Sequence, residues 1–294
     1  MNSERQQAYL NLINQLLNSP SGEEAEVLKT THPELLDGGL VAAMLEVADN
    51  LREQGKLNNA NWLKDFAGLL GKVDGDFLVG IALKAEADRL LEQGDRQYDI
   101  SQFREALQSG EQALIIYREI RDRQGEAYCL NNLGLAYKSL GQFHRAIEFH
   151  QQSLEISREI EYRQGEANSL NNLGIAYKSL GQFDRAIEFY QQSLEISREI
   201  GYRQGEDNSL NNLGLVYKSL WQFQRAIEFH QQSLEIKREI GNHQGEAASL
   251  SSLGNAYDSL GQFERAIEFH QQSLEIEREI GNHQGEAASL SSLG

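Results

Sequence analysis

Asn131, Asn171 and Asn211 stand forty residues apart, and Lys138, Lys178 and Lys218 keep the same interval. A carboxamide carries both a donor and an acceptor, so a row of asparagines can pair with the backbone of an extended peptide without demanding a particular side chain. A row of ammonium groups beside it would attract carboxylates. Leu135, Ile175 and Leu215 fall between the two rows, and Asn168 and Asn208, with Tyr128 in the matching place, fall three residues ahead of each asparagine. On a helix these positions share one face. The competing reading is a solvated polar face copied by duplication. After Lys218 the pattern changes to Ala248, Ser251, Asn255 and Asp258, so the face is basic in the middle of the chain and neutral to acidic near its end.

Other reactive residues do not assemble into a site. No nucleophile, base and orienter fall together, and no Gly-rich phosphate loop or metal-ligand spacing occurs, so neither catalysis, nor a cofactor, nor a bound metal is expected. Cys129 occupies a place taken elsewhere by Ser169, Ser209 and Ser249, which marks an ordinary packed thiol. His150, His230 and His270 share a place with Tyr190, so the slot takes a ring of middle size, and residues forty or eighty apart are expected to sit a full repeat or more from each other, which argues against a metal site. His243 and His283 replace Arg163 and Arg203 in connecting loops and are expected to be solvated. Glu155, Arg158 and Glu159 read as a solvated helix face with local ion pairs. Trp221 replaces the turn glycine seen at Gly141, Gly181 and Gly261; it either anchors a partner or packs on the next turn.

The elements that position these residues follow from the same forty-residue period. It returns Gly94, Gly134, Gly174, Gly214, Gly254 and Gly294, with Phe103 to Phe263 and Ala106 to Ala266 in phase, giving five full repeats from about residue 84 and the start of a sixth. Within a repeat, Leu130, Leu133, Tyr137 and Leu140 line one helix, and Ala146, Ile147, Phe149, Leu154 and Ile156 a second, joined by Leu140, Gly141 and Gln142. Gly134 and Ala146 are expected where the two helices approach, with Tyr137 and Phe143 filling the space around them. One pair cannot bury its apolar face alone, so pairs must stack. The fold expected is all-α: a right-handed α-solenoid of tandem antiparallel helix pairs whose first helices line the concave side, preceded by a small helical bundle.

Leu133, Gly134, Tyr137, Phe143 and Ala146 resemble the tetratricopeptide repeat, and the LNNLG segment is similar to repeats of kinesin light chains and Pins/LGN adaptors. The resemblance covers residues 84 to 294 and implies a protein-interaction scaffold in which Asn131, Asn171 and Asn211 clamp a ligand backbone, with Asn132, Asn172 and Asn212 beside them. The chain departs from the common 34-residue form in its six extra residues and in lacking a closing proline, so the second helix is expected to run to about Ile160. Repeat one is the weakest match, with Gln97 in place of the tyrosine.

Residues 1–75 lie outside the array of residues 76–294. Ser3 to Gln6, Ser21 to Glu24 and Thr31 to Glu34 read as helix starts. The apolar stripes Tyr9, Ile13, Leu16, Leu17; Met44, Val47, Leu51; and Trp62, Leu63, Phe66, Leu69, Leu70 predict a bundle, with Gly71 to Gly80 as its linker to the array. Such caps are loosely similar to the leading segments of large bacterial repeat proteins, some with caspase-like or signalling effector domains. The sequence stops within a first helix at Gly294, so a fragment of a longer protein is expected.

The 294 residues carry a formal charge of −17, which opposes nucleic acid and anionic membrane surfaces. No apolar run approaches the roughly 18 residues that span a bilayer, and one cysteine suits a reducing compartment, so the cytoplasm is expected. The function expected is a scaffold that binds an extended, acidic peptide or partner domain. The alternatives are the regulatory arm of a larger enzyme encoded beyond Gly294, and a rod that self-associates end to end through Leu290 and Leu293.

Overall fold

The computed structural model describes residues 3–19, 27, 35, 38–70 and 75–293. Among them are fourteen helices and no strand. The chain divides into two compact units, residues 1–125 and 126–294.

In the first unit, α1 (Ser3–Asn18), α2 (Gly38–Glu53) and α3 (Leu57–Leu70) enclose a core of Tyr9, Leu12, Ile13, Leu16, Leu40, Met44, Ala48, Leu63 and Ala67. This is the bundle expected from the apolar stripes. Leu17, Val47, Leu51, Trp62 and Phe66 close its margin, and the side chains of Leu69 and Leu70 lie outside the described residues. The helix starts expected at Ser21 and Thr31 lie outside them as well. The linker expected over residues 71–80 does not hold for its second half: α4 begins at Gly75 and runs to Asp99, through Gly80. No proline interrupts that stretch, and Phe77, Leu78 and Val79 extend the apolar pattern backwards. Helix α4 packs against α5 (Phe103–Glu119), forming repeat one. Gln97 has a structural use there, accepting a 2.8 Å hydrogen bond from the Ser109 hydroxyl. At the other end of the pair, Lys84 Nζ reaches Asp122 at 2.6 Å and Asp88 at 3.3 Å.

The second unit continues the pattern with the pairs α6 (Arg123–Ser139) and α7 (Phe143–Glu159), α8 (Arg163–Ser179) and α9 (Phe183–Glu199), α10 (Arg203–Ser219) and α11 (Phe223–Glu239), and α12 (His243–Ser259) and α13 (Phe263–Glu279). These are repeats two to five, and α14 (His283–Leu293) starts the sixth. Each first helix ends in the same way. Gly141 takes φ +74°, its N–H reaches Lys138 O at 2.9 Å, and Gln142 N–H reaches Tyr137 O at 2.9 Å. This left-handed cap satisfies terminal carbonyls and turns the chain into the second helix, which ends at Glu159, one residue short of expectation.

Within each pair a tyrosine stacks on a phenylalanine of the second helix, at 5.0 Å for Tyr137 and Phe149 and 5.3 Å for Tyr177 and Phe189. Arg145 and Arg185 place their guanidinium groups 5.4 and 5.3 Å from the tyrosine rings. The ring against Tyr137 is therefore Phe149, not Phe143. Gly134 lies where the two helices approach closely, as expected: a Cβ there would fall 2.5 Å from the His150 ring of the second helix. Gly174, Gly214 and Gly254 meet Tyr190, His230 and His270 in the same manner. The glycine is the floor of the ring slot.

Between repeats, buried hydroxyls and carboxylates carry the junctions. Ser153 Oγ lies 2.9 Å from Ser169 Oγ and donates to Ala127 O at 2.7 Å, and Ser193 and Ser209 repeat the arrangement. Glu166, only 6% exposed, accepts from Arg158 Nε at 2.8 Å and from an Arg163 nitrogen at 2.5 Å; Arg163 also reaches Glu199. The face of Glu155, Arg158 and Glu159 is exposed, as expected, but Arg158 pairs across the repeat junction and not within its own helix. Glu206 is held alike by Arg198 and Arg203.

Candidate partner-binding face

The first helices of repeats two to four bring the sequence-predicted site residues onto adjoining surfaces. Helix α8 packs against α10 directly, as well as against its own partner α9. Lys138, Lys178 and Lys218 are half-buried, as are Leu135, Ile175 and Leu215, and Asn168 and Asn208 are half-buried at the starts of their helices. Among the described residues none of the three lysines forms an ion pair. Burial, and then the charge of Lys138, hold Lys178 below the ordinary lysine value. Lys138 and Lys178 therefore repel one another.

The asparagines hold their places by a mechanism the sequence did not announce. Asn172 Nδ2 donates to Asn131 Oδ1 at 3.1 Å, and Asn212 Nδ2 donates to Asn171 Oδ1 at 3.0 Å. Asn131 Oδ1 also lies 2.8 Å from His150 Nδ1, which places the imidazole proton on Nδ1. The carbonyl ends of Asn131 and Asn171 thus stitch consecutive repeats together. The fifth repeat has Ser252 where Asn172 and Asn212 stand, so the stitch is not continued there. A signal for this was present in the sequence: the second asparagine of LNNLG is lost in the same repeat that loses the lysine.

His150, His230 and His270 are buried over their glycines and separated by whole repeats. No cluster of His, Cys, Asp or Glu able to hold a metal ion occurs among the described residues. Burial, and secondarily Lys138, push His150 down to about 3; burial, then Lys237 and Lys218, push His230 to about 4. Both are neutral packing rings at physiological pH. Cys129 is buried.

One junction departs from the others. Asp207 replaces the alanines at 127, 167 and 247, and Lys237 replaces Ser157 and Ser197. Their side chains meet at 3.2 Å, with Ser233 donating to Asp207 at 2.6 Å and Lys237 donating to Ser249 at 2.8 Å. Two opposite charges entering one repeat, at places that hold alanine and serine in repeats two and three, were a signal present in the sequence.

At the end of α10, Trp221 takes φ +60° and is 80% exposed, touching Phe223 edge to face at 5.8 Å. It walls a cleft of about 450 Å³ together with Lys178, Leu215, Lys218 and Phe223.

These helix pairs, stacked by first-helix contacts and glycine-floored ring slots, define an α-helical repeat protein. A family profile described as the tetratricopeptide repeat matches residues 91–159, 130–199, 165–239 and 205–279, more than half of the chain. The chain belongs to the tetratricopeptide repeat family, whose members are typically non-catalytic interaction scaffolds. A comparison with curated proteins gives no match. Among solved structures, BtubC (BKLC) from P. vanneervenii is similar at 21% identity and a TM-score of 0.61, over 86% of this chain and 94% of its own. A kinesin light chain-like repeat protein from Podosopora anserina is similar at 24% identity and a TM-score of 0.55, over 68% of this chain and 98% of its own. A signal transduction ATPase with a tetratricopeptide repeat sensor from Pyrococcus horikoshii matches at 18% identity and a TM-score of 0.63, over 100% of this chain and 49% of its own. At these identities the likeness is one of fold. No helix of the described residues is long and apolar enough to cross a membrane.

Proposed function

We propose that the first-helix face of repeats two to four is a concave groove that holds an extended, carboxylate-rich segment of a partner protein. The observation that carries this reading is the row Lys138, Lys178 and Lys218, half-buried and without ion-pair partners among the described residues, in a chain of net charge −17. Leu135, Ile175 and Leu215 supply apolar contact between the cations. Asn168, Asn208 and the amide ends of Asn131, Asn171 and Asn211 supply donors for a backbone. Residues 1–75 form a helical bundle and residues 76–294 the array, and the protein works in the cytoplasm.

The test uses a partner captured on the immobilised chain and titrated against the parent and Lys138→Glu/Lys178→Glu/Lys218→Glu. Exposed charge contacts are each worth about 0.2 to 1 kcal/mol, so the triple variant should bind about tenfold to a hundredfold more weakly at low salt, with the gap narrowing as salt is added. Asn131→Ala/Asn171→Ala should lower affinity with little salt dependence. It should also lower stability by about 1 kcal/mol for each lost stitch, so its binding is judged under conditions where it is fully folded. Equal binding by the parent and the lysine variant at low salt would remove the groove as the binding surface.

A further inference from the structure

Near-identical repeats pose a problem for an extended ligand, because a segment that fits repeats two and three fits three and four equally well. Accepting the groove reading above, something must fix the register. The cleft at Trp221 is built from Lys178, Leu215, Lys218 and Phe223. One repeat earlier the same places hold Lys138, Ile175, Lys178 and Phe183, with Gly181 in place of the tryptophan. One repeat later Asp258 replaces the second lysine, and Gly261 the tryptophan. Of these three repeats, repeat four alone brings two cations and a large apolar wall together, and no carboxylate lines that cleft.

The indole is not there to complete the fold. It is 80% exposed and stands in the left-handed region at φ +60°, where the sister turns hold Ser101 at φ +62° and glycine at φ +74°, +73° and +71°. A residue with a Cβ is disfavoured in that region, so the position carries a conformational cost without burying the side chain in return. Exposed aromatic side chains beside a cleft are the usual anchors of protein interfaces.

We infer that Trp221 and its cleft seat one bulky apolar side chain of the partner's acidic segment, and so set the register in which that segment lies along the repeats. The two lysines hold the carboxylates flanking that side chain. The glycines at 141 and 181 have no atom within 4 Å of a Cβ built on them, so the anchor can be moved without crowding the fold.

The probe is a fluorescein-labelled peptide of alternating glutamate and serine with phenylalanine at its centre, beside a second peptide with alanine at the centre, followed by anisotropy. The parent should prefer the phenylalanine peptide by about tenfold or more. Trp221→Gly, which installs the sister residue, should lose that preference while binding the alanine peptide as before. Gly181→Trp/Trp221→Gly should regain the preference, and relative to the parent its binding should become more sensitive to Lys138→Glu and less sensitive to Lys218→Glu. No preference in the parent, preference surviving in Trp221→Gly, or unchanged lysine sensitivity in the relocated variant would each overturn the inference. If the parent binds both peptides equally, the groove reading stands and the anchor falls; if it binds neither, both fall.

Discussion

Acidification from pH 7 to pH 5 is expected to cost the array about 4 kcal/mol through two buried histidines, about 2 kcal/mol from each. His150 sits at about 3 and His230 at about 4, against an ordinary value of 6.5. Between 6.5 and about 4 the unfolded chain takes up protons that the folded chain refuses, so stability is full above 6.5 and falls as the pH falls through that window. The geometry gives the cause. His150 already donates from Nδ1 to Asn131, its Nε2 has no partner, and Lys138 stands nearby, so a second proton would be buried without an acceptor and against a cation. Neither nitrogen of His230 has a partner among the described residues. The control is written in the sequence: Tyr190 fills the same slot in repeat three, buried over Gly174. Urea midpoints should drop steeply between pH 7 and 5 in the parent and much less in His150→Tyr/His230→Tyr. The tyrosine hydroxyls do not titrate there, so any offset they bring is the same at both pH values. An equal drop in both proteins would show that the rings are not the linked groups.

Lys237→Ser should destabilise repeat four by about 3 to 5 kcal/mol, because it leaves the Asp207 carboxylate, 2% exposed, without its cation. Adding Asp207→Ala should recover most of the loss. The double variant has the Ala and Ser of the sister repeats, and a buried ion pair replaced by packed neutral side chains is commonly no less stable. Amide exchange in α10 and α11 is the suitable readout, since stability in a stacked array is close to a sum of repeat and neighbour terms. If the single variant exchanges as the parent does, the pair is not coupled.

The helices, their pairing and the turn at Gly141 were legible because each is a local consequence of spacing, with apolar residues at helical period and a glycine where φ must be positive. The core shared by α1, α2 and α3 was legible for the same reason, through Tyr9, Ile13, Leu16, Met44 and Leu63. What escaped depends on which residues from distant parts of the chain face one another. Gly134 meets the ring of His150, on the facing second helix. Arg158 meets Glu166 across a turn, and Asn131 meets Asn172 across a whole repeat. Periodicity shows that such positions recur, not what they touch. The candidate groove was legible as a pattern of side-chain types, while the use of its asparagine oxygens in holding repeats together was not.

The central claim is that a partner lies along Lys138, Lys178 and Lys218. Its most direct test is amine footprinting: acetylate the chain briefly, with and without the captured partner, and quantify each lysine by mass spectrometry. The account predicts that Lys138, Lys178 and Lys218 become protected together when the partner is present, while Lys56 and Lys64 of the bundle react as before. Unchanged acetylation of all three groove lysines in the complex, or protection confined to the bundle, would contradict it.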